Sequence, residues 1–223
     1  MRNAVLRRGV VMAALLCGAW VVCAAGARGQ QAPAAAQRGH VLAGIVYEGN
    51  MDALLQRLAP EFGVTIGFDA GAGRTRPQVK ISLRDANLRD VMDAIVQSQP
   101  AYRWRQEGGF VDVYPAEGGS PLLDTAVGGF RLSASRWAEA ADALLSLPEV
   151  QSRAAALGLS RREAAPGPAV PALRPGEIFS LQLENVPVRT ALHEMAMRSG
   201  THFWVFRQHG AGGRSFSLGN TYR

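Results

Sequence analysis

Cysteine is nearly absent from this chain: 223 residues contain two, Cys17 and Cys23, both near the N-terminus. Lysine is scarcer still, since Lys80 is the only one, so almost every cation is an arginine. No H-E-x-x-H, G-x-S-x-G, P-loop or dinucleotide fingerprint occurs, and the Gly-rich stretches GAGR (71 to 74) and GAGGR (210 to 214) read as turns rather than phosphate cradles. Zinc-finger spacing and RNA-binding aromatic motifs are also missing, and the basic residues are scattered, which excludes a nucleic-acid footprint. The single long apolar run, VVMAALLCGAWVV, is shorter than the roughly 20 residues a spanning helix needs.

That run follows Arg2, Arg7 and Arg8 and precedes Ala25-Gly26-Ala27, the layout of a signal peptide with its cleavage site. Residues 1–27 are therefore expected to be removed, with 28–40 a flexible lead. An uncleaved anchor and a lipidated Cys23 are the alternatives. Cleavage removes both cysteines and lowers the net charge from +6 to +3. An exported chain without disulfides must be stabilised by packing, which suits a periplasm or cell envelope.

From Val41 onward the pattern is readable. VLAGIVYEG predicts a strand, and Met51, Leu54, Leu55 and Leu58 follow helical spacing, with a stop before Gly63. VTIGFDA and QVKISL predict strands, and a helix from Asp85 carries Leu88, Val91, Met92, Ile95 and Val96 on one stripe. AYRWRQEGGFVDVYP predicts a hairpin turning at Gly108-Gly109. The order is β-α-β-β-α-β-β.

The segment then recurs. ISLRDANLRDVMDAI (81 to 95) lies over LQLENVPVRTALHEM (181 to 195) at an ungapped offset of one hundred, which also pairs Trp104 with Trp204. FRLSASRWAEAADALL (130 to 145) echoes the same β-α phrase at an offset of 49. These repeats predict an α+β fold of two small tandem modules, 41–116 and 127–223, each two helices on small sheets, joined by a linker at 117–126. EAAPGPAVPALRPGE (163 to 177), with four prolines, predicts an exposed insert in the second module.

ISLRDANLRDVMDAIVQSQPAYRWRQEGGFVDVYP and LQLENVPVRTALHEMAMRSGTHFWVF resemble the short N-terminal (STN) domain of secretins and TonB-dependent receptors. The resemblance covers residues 41 to 115 well and 127 to 220 loosely. It implies a periplasmic module whose partners are envelope proteins: a secretin, receptor or regulator component. The usual module precedes a membrane barrel; here no transmembrane strand series follows, so the expectation is a detached adaptor without a barrel of its own. Self-association stays open, as does a ligand-binding module for an envelope polymer such as peptidoglycan. No enzyme, cofactor or metal site is expected.

The candidate chemistry agrees. HEMAM, His193 to Met197, places methionine where a zinc helix needs its second histidine, and a thioether is a poor zinc ligand. Helical geometry predicts that His193 and Glu194 flank the apolar stripe and are solvated. Tyr102, Trp104 and Trp204 read first as core residues and second as partner contacts; Arg103 and Arg105 read as the exposed face of the hairpin, the composition favoured at interfaces. FVDVY reads as a terminal strand able to accept an added strand.

Overall fold

A computed structural model of the chain describes residues 40–72, 76–162, 177–209 and 215–219. The expected signal peptide and most of the flexible lead and the proline-rich insert lie outside these residues.

The first half runs β1 (Leu42–Asn50), α1 (Met51–Phe62), β2 (Thr65–Asp69), β3 (Gln78–Ala86), α2 (Leu88–Ser98), β4 (Tyr102–Glu107) and β5 (Phe110–Pro115). This is the order the periodicities predict, and the fold is α+β. α2 starts later than Asp85: Asn87 caps it, accepting from the Asp90 N–H while the Asp90 side chain accepts from the Asn87 N–H. Asp85 instead takes a left-handed conformation, φ 48°. The second half runs β6 (Ala126–Ser135), α3 (Trp137–Leu145), α4 (Pro148–Ala156), β7 (Ser160–Arg161), β8 (Phe179–Pro187), α5 (Val188–Arg198), β9 (Phe203–His209) and β10 (Ser215–Gly219). Ala134 and Asn185, the partners of Asp85 at offsets of 49 and 100, are also left-handed, φ 48° and 52°.

Three sheets form among the described residues. β1 pairs with β3 and β6 with β8, both antiparallel. The third has six strands in the order β4-β5-β2-β9-β10-β7. Its two ends repeat one pattern: β4 is antiparallel to β5, which is parallel to β2, just as β9 is antiparallel to β10, which is parallel to β7. The ends join where β2 runs parallel to β9.

Two cores lie on opposite faces of this sheet. One packs α1 and α2 and the β1–β3 pair against Ile66, Phe68, Val111 and Val113, and takes in Phe203 and Val205 of β9. The other packs α3, α4, α5 and the β6–β8 pair against Trp204, Phe206 and Phe216. Alternation along β9 thus feeds both cores, and all four of these residues are at most 1% exposed. The reason is in the repeat: Phe203 and Val205 stand where the first half has Arg103 and Arg105, so β9 is apolar on both faces, as an interior strand must be.

The segment expected as a linker, 117–126, is tied down. Leu122 and Leu123 are buried in the second core, and their carbonyls' neighbourhood receives α5, with the Arg189 N–H donating to the Leu123 carbonyl. No helix among the described residues is long and apolar enough to cross a membrane.

Candidate functional site

The strand-helix corner of each half forms the same kind of groove, one filled and one open. In the second half α5 lies over the joint between β9 and β2. Gly67 of β2 sits opposite Trp204 of β9, and a β-carbon at Gly67 would lie 2.2 Å from the indole Cζ2. Only glycine lets the two backbones pair with the indole flat across them.

α5 brings two charged or titratable side chains onto the first half. His193 stacks on Phe110, ring centroids 4.8 Å apart, and meets Trp204 edge-on at 5.2 Å. Its Nε2 is 2.8 Å from Asp112 Oδ1. Arg189 approaches the same oxygen from Nη1 at 3.4 Å, and Arg105 donates to Asp112 Oδ2 from Nε and Nη2 at 3.2 and 3.1 Å. Burial alone would raise the Asp112 carboxyl, but the His193 hydrogen bond and the field of His193, Arg189 and Arg105 outweigh it and hold it below the ordinary carboxylate range. Ionised, Asp112 can only accept, so the His193 Nε2 carries the proton.

Asp69 at the end of β2 has the opposite balance. It accepts from the Ser120 N–H at 2.5 Å and the Gly71 N–H at 3.1 Å, yet burial raises its carboxyl above the ordinary value despite those bonds and the charge of Arg189, with Asp124 adding to the rise. Three buried atoms of this cluster lack a hydrogen-bond partner, Arg189 Nε, His193 Nδ1 and Trp204 Nε1, although Arg189 Nε forms an ion pair with Asp124 Oδ1 at 3.5 Å.

His193 is therefore not solvated. It is 2% exposed, because α5 is covered on one flank by its own core and on the other by β2 and β5. Glu194, also expected in solvent, is half-buried and pairs with Arg198. Met197 is exposed, and among the described residues no three His, Cys, Asp or Glu side chains form a metal-holding group.

The open groove lies between α2 and β4. Arg89, Asp93, Trp104, Arg105, Gln106 and Gly108 line a volume of about 740 Å³. Trp104 Nε1 donates to Asp93 at 2.8 Å. Arg105 is half exposed, its guanidinium 5.7 Å from the Tyr114 ring centroid. Arg103 is exposed and donates only to the Pro100 and Tyr102 carbonyls, and Arg89 has no ion-pair partner among the described residues.

No family model matches this chain, and no curated protein matches it. Its site is legible from its own geometry.

Among the described residues β4 pairs only with β5, and its other side is an open sheet edge among them. The two-residue turn, with Gly108 at φ 59°, makes Glu107 and Phe110 a hydrogen-bonded pair. Alternation then bonds Arg105 to Asp112 and directs the backbone groups of Trp104 and Gln106 outward. FVDVY, expected as the acceptor strand, is β5 and lies between β4 and β2, with both edges taken. Tyr102 is 1% exposed, its hydroxyl donating to the Ala70 carbonyl, and Trp204 is fully buried, so neither offers a surface to a partner. Arg103, Arg105 and Trp104 remain at the edge. Sequence reasoning missed Gly67, Asp69, Asp112 and Arg189. The signal was the change from Arg103 and Arg105 to Phe203 and Val205, which marks β9 as covered on both faces.

Proposed function

We propose that this chain is an exported, non-enzymatic adaptor of an envelope secretion or signalling assembly, made of two STN-like modules in tandem. It acts in the periplasm or cell envelope, where β4 accepts an extended segment of a partner protein as an added strand. The observation that carries the reading is the open β4 edge beside a groove rimmed by Arg89 and Arg105. An unpaired edge supplies main-chain hydrogen bonds to any extended partner, and the flanking side chains select among partners. The repeat at an offset of one hundred and the recurring strand order support the tandem reading.

Crosslinking and pull-down from an envelope fraction test it. Gln106→Pro removes an outward N–H at the edge without touching a bond to β5, and Arg103→Glu reverses charge on an exposed face. Capture lost in both folded variants supports strand addition at β4. Undiminished capture by Gln106→Pro sinks it, and retention of a cell-wall glycan in place of a protein favours the polymer-binding alternative.

A further inference from the structure

The chain carries its own example of what fills such a groove. Trp204, Arg189 and His193 surround the filled groove; one hundred residues earlier, Trp104, Arg89 and Asp93 surround the open one. The occupant of the filled groove is β2, which runs parallel to β9 with Gly67 opposite Trp204 and Asp69 opposite Phe206. Each feature of that occupant answers a feature of the groove. Glycine is required because the indole takes the place of a β-carbon. Asp69, two residues on and on the same face of β2, accepts from the Gly71 and Ser120 N–H groups and has Arg189 nearby without a direct bond, both lying within about 3 Å of the position a Gly119 β-carbon would take, so the arginine acts on the carboxylate through its field.

We infer that the groove between α2 and β4 binds an extended partner segment running parallel to β4, with a glycine opposite Trp104 and an aspartate or glutamate two residues later, opposite Gln106 and within reach of Arg89. The inference rests on the adaptor reading and names its ligand class: a small-x-acidic strand. Charge favours it, since Arg89 lines the groove and has no ion-pair partner among the described residues, while Arg103 and the Asp112-bound Arg105 add positive charge along the same edge from the opposite face of β4. The same charges argue against a second copy as occupant. Its other sheet edge, β7, would bring Arg161 and the adjoining Arg162 toward Arg89 and Arg105. Two β4 edges paired about a two-fold axis would crowd Arg103 and Arg105 of both copies onto one face.

A fluorescently labelled peptide holding the chain's own segment VTIGFDA, Val64 to Ala70, is the probe, titrated into the full chain by anisotropy. It should bind saturably. Replacing its glycine by valine, or its aspartate by asparagine, should each weaken binding by about tenfold or more, as should Arg89→Glu in the protein, the loss expected for one charge-assisted contact. Gln106→Pro should abolish binding while leaving the melting temperature unchanged. Equal binding by the valine and asparagine peptides overturns the ligand class, while strand addition itself stands. Undiminished binding to the folded Gln106→Pro variant overturns the site. If no peptide binds but Gln106→Pro still loses the envelope partner, the ligand class fails and the adaptor reading survives; if the partner is also retained, both fail. Self-association of the chain that Gln106→Pro abolishes overturns the choice of a foreign strand.

Discussion

Gly67 faces Trp204 across the parallel joint of β2 and β9, and the indole occupies the space a β-carbon at position 67 would need. Gly67→Ala forces the ring or the strand pairing to shift. Overpacking of this kind costs about 1 to 3 kcal/mol. Chemical denaturation should show that loss, and Trp204→Leu in the same chain should recover part of it, because the smaller side chain vacates the site.

Asp112 has three cationic or hydrogen-bonding partners and little water. Asp112→Ala leaves buried Arg189 with only its 3.5 Å ion pair to the exposed Asp124 and should destabilise the protein by about 3 kcal/mol, read from urea unfolding at neutral pH. Asp112→Asn should be milder, since the amide oxygen still accepts from His193.

Acid should reveal the opposed carboxylates. Asp112 is held below its ordinary 3.8, so its contribution is fully present above that value and is lost as pH falls through the folded pKa. Asp69 is raised above 3.8, so the folded state holds its proton more tightly, and stability declines as pH rises from 3.8 through the raised value. Measured against pH, Asp112→Asn should flatten the dependence below 3.8 and Asp69→Asn the dependence above it.

Ala134 adopts φ 48° where Asp85 and Asn185 stand at the corresponding positions. Asparagine adopts this conformation at lower cost than alanine. Ala134→Asn should stabilise the chain by up to about 1 kcal/mol, raising the denaturant midpoint without changing the slope.

Asp52 of α1 is 1% exposed and pairs with Arg207 of β9, an ion pair linking the two halves. Arg207→Ala strands that carboxylate and should cost about 3 kcal/mol in the same assay.

Much of the fold was legible because periodicity reports local structure. The order β-α-β-β-α-β-β, the stop before Gly63 and the turn at Gly108-Gly109 follow from spacing and backbone freedom alone. What spacing does not carry is which edge meets which. The helical angle of His193 points away from the apolar stripe of α5, which by itself reads as solvent; the side it faces is buried by β2 and β5, whose Phe110 and Asp112 contacts lie more than eighty residues earlier. FVDVY reads as a terminal strand from spacing alone, yet it is β5 and lies between β4 and β2, since pairing order within a sheet is a long-range property. The arginines at 103 and 105 and the apolar pair at 203 and 205 held the missing information.

Because β9 supplies side chains to both cores, the halves are coupled mechanically and not only tethered by sequence. A chain cut back to residues 41–116 would lose Phe203 and Val205 from its interior and expose the edge of β2; residues 127–223 alone would leave Trp204 without the backbone that seats it. Either fragment would present a sticky, half-hydrophobic sheet edge. Losing one half therefore leaves the other an aggregation hazard, so the two should melt, fold and persist as a single cooperative unit.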